Sequence, residues 1–429
     1  MISRRTLRRV AIVLLGLVLV LTTAHIIWTY VEKSGFQARM ERVRQAGDPI
    51  YLTDLAMRPV PDERNAAKLL EEAAAWLEAR RDRDDEYGDA LLFQSKRARE
   101  EDWTEDEWNH LYRYLDSLKP YYAMIEQVPQ RPEWSVDIAP DDPISSAFRP
   151  FPWAQEVVEY TLYRVQFDRV EKGRTERAAR AAVFLLDFAD RCKLPLFYGH
   201  LVSHTNTNQT GVILRIASER PGFDARLFRQ IVEPRLAAAI APTGPPVEVV
   251  HALRAEALRW MRAWLAGETA DVSPSDHVWR NVFWRPLLYR DGSRMLDLHA
   301  RVIPSCGVSP EEAWPIGERL RNEYGGGVKL YPVLTRTHGA TCGGAFRQFT
   351  ISTATRRLTC VVMAILEYKQ TAGVWPASLD VLGDLPLDPF TARPLVYERR
   401  ADGARIHVSW PGKDWETLVV DDLAWSFQE

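Results

Sequence analysis

His200 and His204 stand four residues apart in Tyr198-Gly199-His200-Leu201-Val202-Ser203-His204. On a helix that spacing turns both imidazoles to one side, as a zinc ion requires. A zinc hydrolase also needs a base for the metal-bound water, and Leu201 occupies the position where zinc proteases carry glutamate. Glu219, His251 and Glu256 are the residues that could bring a third ligand from elsewhere. Ser203 and His204 do not pair as nucleophile and base, because adjacent helical residues point about 100° apart, and the chain has no Gly-x-Ser-x-Gly elbow. Cys342 has His338 four residues before it and Gly343-Gly344 after it, which would offer a thiol, a base and backbone N–H groups for an oxyanion. Gly325-Gly326-Gly327-Val328-Lys329 lacks phosphate-loop spacing and reads as a helix stop followed by a turn. Each candidate lacks a required group, so no catalytic, cofactor-binding or metal-binding residue is expected. A metal-dependent hydrolase centred on His200 and His204 is the alternative.

Helices must position these groups. Ala67, Leu70, Ala74 and Leu77 recur at steps of three and four within Arg64 to Arg83, the spacing of one buried helical face. Thr104 with Glu107 is a capping-box pattern for a helix expected to end before Pro120, with a short turn of helix from Tyr121 to Val128. Pro129 to Pro152 carries no periodicity and reads as a long irregular connection. Trp153 to Val170, Thr175 to Arg191, Leu194 to Glu219, Asp224 to Ala241 and Pro246 to Ala266 then continue as helices, without a fixed repeat. Gly267 to Thr341 is rich in Pro, Gly and aromatic residues, and one helix is expected there, Pro310 to Tyr324, with Ser309 and Glu312 as its capping box. A last long helix is expected from Phe346 to Thr371.

Val10 to Trp28 is free of charged side chains and follows Arg4, Arg5, Arg8 and Arg9. A helix of that length spans roughly 30 Å, the thickness of a bilayer's hydrocarbon core. The arginines place the N-terminus in the cytoplasm and the body beyond Tyr30 outside it, as a single-pass protein of the inner membrane. A cleaved signal peptide with Ala11 to Leu21 as its apolar region is the rival, but Ile26, Ile27, Trp28 and Tyr30 extend the apolar run into an interfacial belt. The remaining residues, about 395, suffice for two or three domains. A net charge of −3 leaves no electrostatic footprint for nucleic acid. Of the four cysteines, Cys306 and Cys342 sit in Gly-containing sequence that reads as loop and form the preferred bridge, whereas Cys192 and Cys360 sit in helical surroundings.

After Arg357 the pattern changes to Gly373-Val374-Trp375-Pro376, Leu387-Asp388-Pro389-Phe390, Pro394-Leu395-Val396-Tyr397 and Val408-Ser409-Trp410-Pro411-Gly412-Lys413-Asp414. Leu395 to Arg399 and Ile406 to Trp410 alternate as strands around an Asp402-Gly403 turn. This order of elements, over about 60 residues, resembles the C-terminal module of type II secretion pseudopilins. The resemblance implies a helix packed on a small antiparallel sheet, and it would place calcium ligands near Asp388 and Asp414. The chain departs from pseudopilins in having no prepilin-peptidase pattern and no continuity between this module's helix and the anchor.

The expected fold is mainly α, divided into residues 1–31 (tip and anchor), 32–60 (stalk and linker), 61–345 (irregular antiparallel helical array) and 346–429 (pseudopilin-like α+β module). The expected function is a scaffold that uses the bilayer through residues 10–28 and binds another envelope protein, with no cofactor.

Overall fold

A computed structural model describes residues 4–55, 60–81, 104–135, 150–168, 170–191, 197–239, 245–266, 284–325, 333–400, 403–409 and 424–428. The described chain is mainly α. Its helices are α1 (Arg4–Gln45), α2 (Ala66–Arg81), α3 (Glu105–Ser117), α4 (Lys119–Ile125), α5 (Pro150–Gln166), α6 (Arg174–Arg191), α7 (Phe197–Ser218), α8 (Ala225–Ala239), α9 (Val247–Ala266), α10 (Arg285–Val302), α11 (Pro310–Tyr324) and α12 (Val333–Ala372). Three strands follow: β1 (Val396–Arg400), β2 (Gly403–His407) and β3 (Ala424–Gln428). They form one antiparallel sheet in the order β1-β2-β3, with Val396 opposite His407 and Ile406 opposite Trp425. The sequence expectation of a helical body with β structure concentrated at the C-terminal end therefore holds.

The helices form two compact units. The first comprises Met1–Leu55, Pro245–Gly307 and Pro315–Phe346; the second comprises Ala56–Gly244, Val308–Trp314 and Arg347–Glu429. The first unit is built on α1, α9, α10 and the start of α12. Its core is Ile50, Leu258, Met261, Trp264, Leu288, Met295, Leu296 and Leu334, with Phe36, Met40 and Val43 of α1 packed against it. Residues 32–45, expected as a stalk, continue α1 as a helix packed on this core. That helix ends as its sequence dictates. Gly47 adopts φ +74°, the Gly47 N–H donates to the Arg44 carbonyl, and the Asp48 N–H donates to the Val43 carbonyl, the paired bonds of a Schellman motif. The second unit packs Leu185, Leu214, Phe228 and Val232 against Leu358, Val361, Val362 and Ile365 of α12, and the sheet adds Ile406 and Trp425.

Local signals succeed at several ends. Ser309 and Glu312 form the reciprocal cap of α11: the Glu312 N–H donates to Ser309 Oγ at 3.3 Å and the Ser309 N–H donates to Glu312 Oε2 at 3.2 Å. α3 ends at Ser117, before Pro120 as expected, and Pro120 stands in the first turn of α4, where a missing N–H costs no intrahelical bond. Two expectations fail. α10 lies in Gly267 to Thr341, where Pro310 to Tyr324 is the one helix expected, and α12 begins at Val333, not Phe346. Both errors come from treating glycines as breakers. A Cβ on Gly292 would stand 2.5 Å from Met261 Sδ, and one on Gly339 would stand 2.3 Å from the Tyr324 ring. These residues are glycine because neighbouring helices press against them.

Gly343 and Gly344 separate the two roles within one dipeptide. A Cβ on Gly343 would meet the Gly317 carbonyl oxygen at 2.9 Å, whereas one on Gly344 meets nothing within 4 Å. Gly344→Ala should therefore raise stability by about 0.5–1 kcal/mol, the helix-propensity gain of alanine. Gly343→Ala should lower it by about 1 kcal/mol or more, because overpacking against backbone outweighs that gain. Denaturant unfolding of the two single variants checks the opposite signs.

Candidate functional site

α7 carries His200 and His204, and backbone spacing sets both on one face of that helix; their side chains lie outside the described residues. Of the possible third ligands, Glu219 follows the C-terminus of the same helix, about 22 Å along its axis from His204. His251 and Glu256 belong to α9 in the other unit. Among the described residues, no three His, Cys, Asp or Glu side chains are placed to hold a metal ion.

Cys342 corrects a second expectation. It lies in the interior of α12, fully buried, and burial together with the nearby Cys306 pushes its thiol up to about 12. The N–H groups after it belong to an unbroken helix, so they do not form an oxyanion cradle. Cys306, Cys342 and Cys360 are free thiols, so the expected Cys306–Cys342 bridge is not formed; Cys192 lies outside the described residues. Asp388 is wholly buried, with its two carboxylate oxygens accepting from the Phe390 N–H at 2.9 Å and the Ser409 N–H at 2.5 Å. That use is structural: the carboxylate ties the Asp-Pro-Phe turn to the chain leaving β2. Asp414 lies outside the described residues.

The first unit gathers a polar cluster that sequence reading did not assemble. Two histidines, His299 of α10 and His338 of α12, are buried with ring centroids 6.0 Å apart. His299 Nδ1 sits 2.9 Å from the Met295 carbonyl oxygen, one turn back, so that nitrogen carries the proton in the neutral ring. His299 Nε2 then presents a lone pair, and neither it nor His338 Nδ1 has a hydrogen-bond partner among the described residues. Burial and then the neighbouring His338 hold the His299 imidazolium far below the ordinary range, at about 3, and burial holds that of His338 at about 4. Both rings are neutral at pH 7.

On α9, Arg254 is almost wholly buried and grips the turn after α1: Nη1 donates to Asp48 Oδ2 and Nη2 to the Pro49 carbonyl, each at 3.0 Å. His251 Nε2 stands 3.8 Å from Asp48 Oδ1, yet burial and Arg254 depress its imidazolium. Asp291, in the middle of α10, caps α12. Its carboxylate accepts from the Leu334 N–H at 2.8 Å and the Thr335 N–H at 3.1 Å, with the Thr335 hydroxyl 2.5 Å from Oδ1. Negative charge at a helix N-terminus is favourable there, although burial pushes the Asp291 carboxyl up.

Chemically, the cluster supplies neutral imidazoles beside an arginine and two carboxylates committed to ion-pair and backbone partners. Sequence reading missed it because α10 was not recognised. Leu288, Met295, Leu296, His299 and Val302 do carry helical spacing once Gly292 is read through. Comparison with protein-family models, with characterised proteins and with solved structures returns no match for the chain.

Proposed function

We propose that the chain is a membrane-anchored, extracytoplasmic scaffold of the bacterial envelope that binds a partner protein and has no catalysis of its own. One observation carries this reading. α1 is a single helix, long and apolar enough to cross a membrane, and it continues without a break into the core of the first unit. Its apolar part is exposed from Val10 to Val31, while Phe36, Met40 and Val43 are packed and Arg39 pairs with Asp297 at 2.9 Å. α12 is also long and apolar, but it is buried and reads as a core helix. An anchor with no flexible joint orients the first unit against the bilayer, and confinement to that layer raises the effective concentration of a partner. The four N-terminal arginines support a cytoplasmic tip and an outward body. Arg254 and Asp291 of the first unit are committed to the turn after α1 and to the start of α12, which supports binding over chemistry.

Two measurements test the proposal. Protease added to spheroplasts should digest the body, and protection in intact spheroplasts would reverse the topology. Metal analysis of the purified full chain should give no zinc. Stoichiometric zinc that is lost in the His200→Ala, His204→Ala double variant would replace the scaffold by the hydrolase.

A further inference from the structure

The first unit holds ionisable groups that the scaffold reading does not use. We propose that His299 and His338 form an acid-sensitive latch: proton entry opens the α9–α10–α12 core around them and releases the turn that fixes the end of α1. The inference goes beyond the scaffold reading, because it assigns a regulatory input to the unit that bears the anchor.

The geometry provides one stable arrangement, and it is the neutral one. Both rings are buried, and His299 Nε2 and His338 Nδ1 have no partner among the described residues. With centroids 6.0 Å apart, facing ring atoms come no closer than roughly 3.7 Å, beyond hydrogen-bond reach of about 3.2 Å. A shared proton between the rings therefore has no direct bridge. The charged groups around the pair do not relieve a new positive charge. From α9, Arg254 is itself cationic and His251 lies beside it. From the turn after α1, Asp48 is committed to Arg254. On α10, Asp291 is committed to the N-terminus of α12. From α11, Tyr324 packs on Gly339 of α12 and pairs with Arg301 on the outer side of α10. A buried imidazolium without a carboxylate beside it is costly, and opening to water is the remaining way to hydrate it.

The sign follows from these environments. The closed unit takes up protons on the pair only near pH 3–4, whereas open, hydrated histidines take them up below about 6.5. The open state therefore binds more protons between those limits, and opening is favoured as the pH falls through that window. Asp291 works in the other direction. Burial raises its carboxyl, so its protonation favours the closed state in acid and cannot produce the opening.

Cys342 is a built-in reporter, since it is buried one helical turn beyond His338 on α12, and Cys360 is a buried control in the other unit. The test labels the full chain in detergent with a dipyridyl disulfide at pH 7 and pH 5. Each cysteine is quantified by mass spectrometry and normalised to an unstructured cysteine peptide. Wild-type Cys342 labelling should accelerate by roughly 20-fold for each histidine, and by a few hundred-fold for the pair, while Cys360 changes little. The His299→Gln and His338→Gln single variants should each lose about half of that logarithmic effect, and the double variant nearly all of it. If the double variant fails to fold, the two singles decide. Equal acceleration of Cys342 and Cys360 in the wild type would overturn the latch, as would a pH-insensitive Cys342 or single variants that keep the full effect. The protease and zinc measurements are independent of this outcome.

Discussion

Asp291→Ala should destabilise the first unit by about 3–4 kcal/mol, since it strips charge-assisted hydrogen bonds from a buried helix start. In the native chain the Asp291 carboxylate accepts from the N–H groups of Leu334 and Thr335 and from the Thr335 hydroxyl, in a setting that is almost wholly buried. The first N–H groups of a helix have no intrahelical partner, and here the cap comes from the side of another helix. Alanine leaves those donors without an acceptor at a buried position. Asp291→Asn keeps one acceptor oxygen but turns an N–H₂ toward the same donors, so about half of the loss is expected. Urea unfolding followed by labelling of Cys342 reads this unit directly. A loss below about 1 kcal/mol for the alanine variant would mean that water replaces the carboxylate and that the cap does not hold α12.

Asp291 also shows what is legible in this sequence and what is not. The amphipathic faces of α2 and α6 and the Ser309–Glu312 cap are written in local spacing and form as expected, while the hairpin forms with β2 at Gly403–His407 rather than at Ile406 to Trp410. α10 contains Asp291-Gly292-Ser293, a tripeptide that in isolation favours a turn. It is helical because Met261 and Phe36 press on Gly292 and because the Asp291 carboxylate is needed at α12. Both reasons are tertiary, and no window of neighbouring residues contains them. The same limit hid the histidine cluster: His299 and His338 are 39 positions apart in the chain, and their meeting depends on two helices that local rules had broken at glycine. Even Cys342, placed in a loop by its glycines, sits in mid-helix because Gly343 is a packing residue.

Asp388→Ala should cost the C-terminal sheet module about 3 kcal/mol, and calcium should have no part in the loss. The structure supplies the reason that the chain turns at Asp388-Pro389-Phe390. The Asp388 N–H donates to the Arg393 carbonyl at 2.7 Å, and the Asp388 carbonyl accepts from the Ala392 N–H at 2.8 Å. Ala392 takes φ 54°, a left-handed conformation unusual for alanine, and that closes the turn. The side chain then adds the long-range bond to the Ser409 N–H. Removing it leaves two N–H donors without their acceptor in a buried place, each worth about 1–3 kcal/mol when unsatisfied. A calcium ion wants six or more oxygens, and both Asp388 oxygens already face backbone donors in a site closed to water. Hydrogen exchange at the β2 amides should therefore quicken in Asp388→Ala, while in the wild type it should be the same with calcium and with a chelator. Calcium-dependent protection that vanishes in Asp388→Ala would show that the carboxylate serves a metal before it serves the turn.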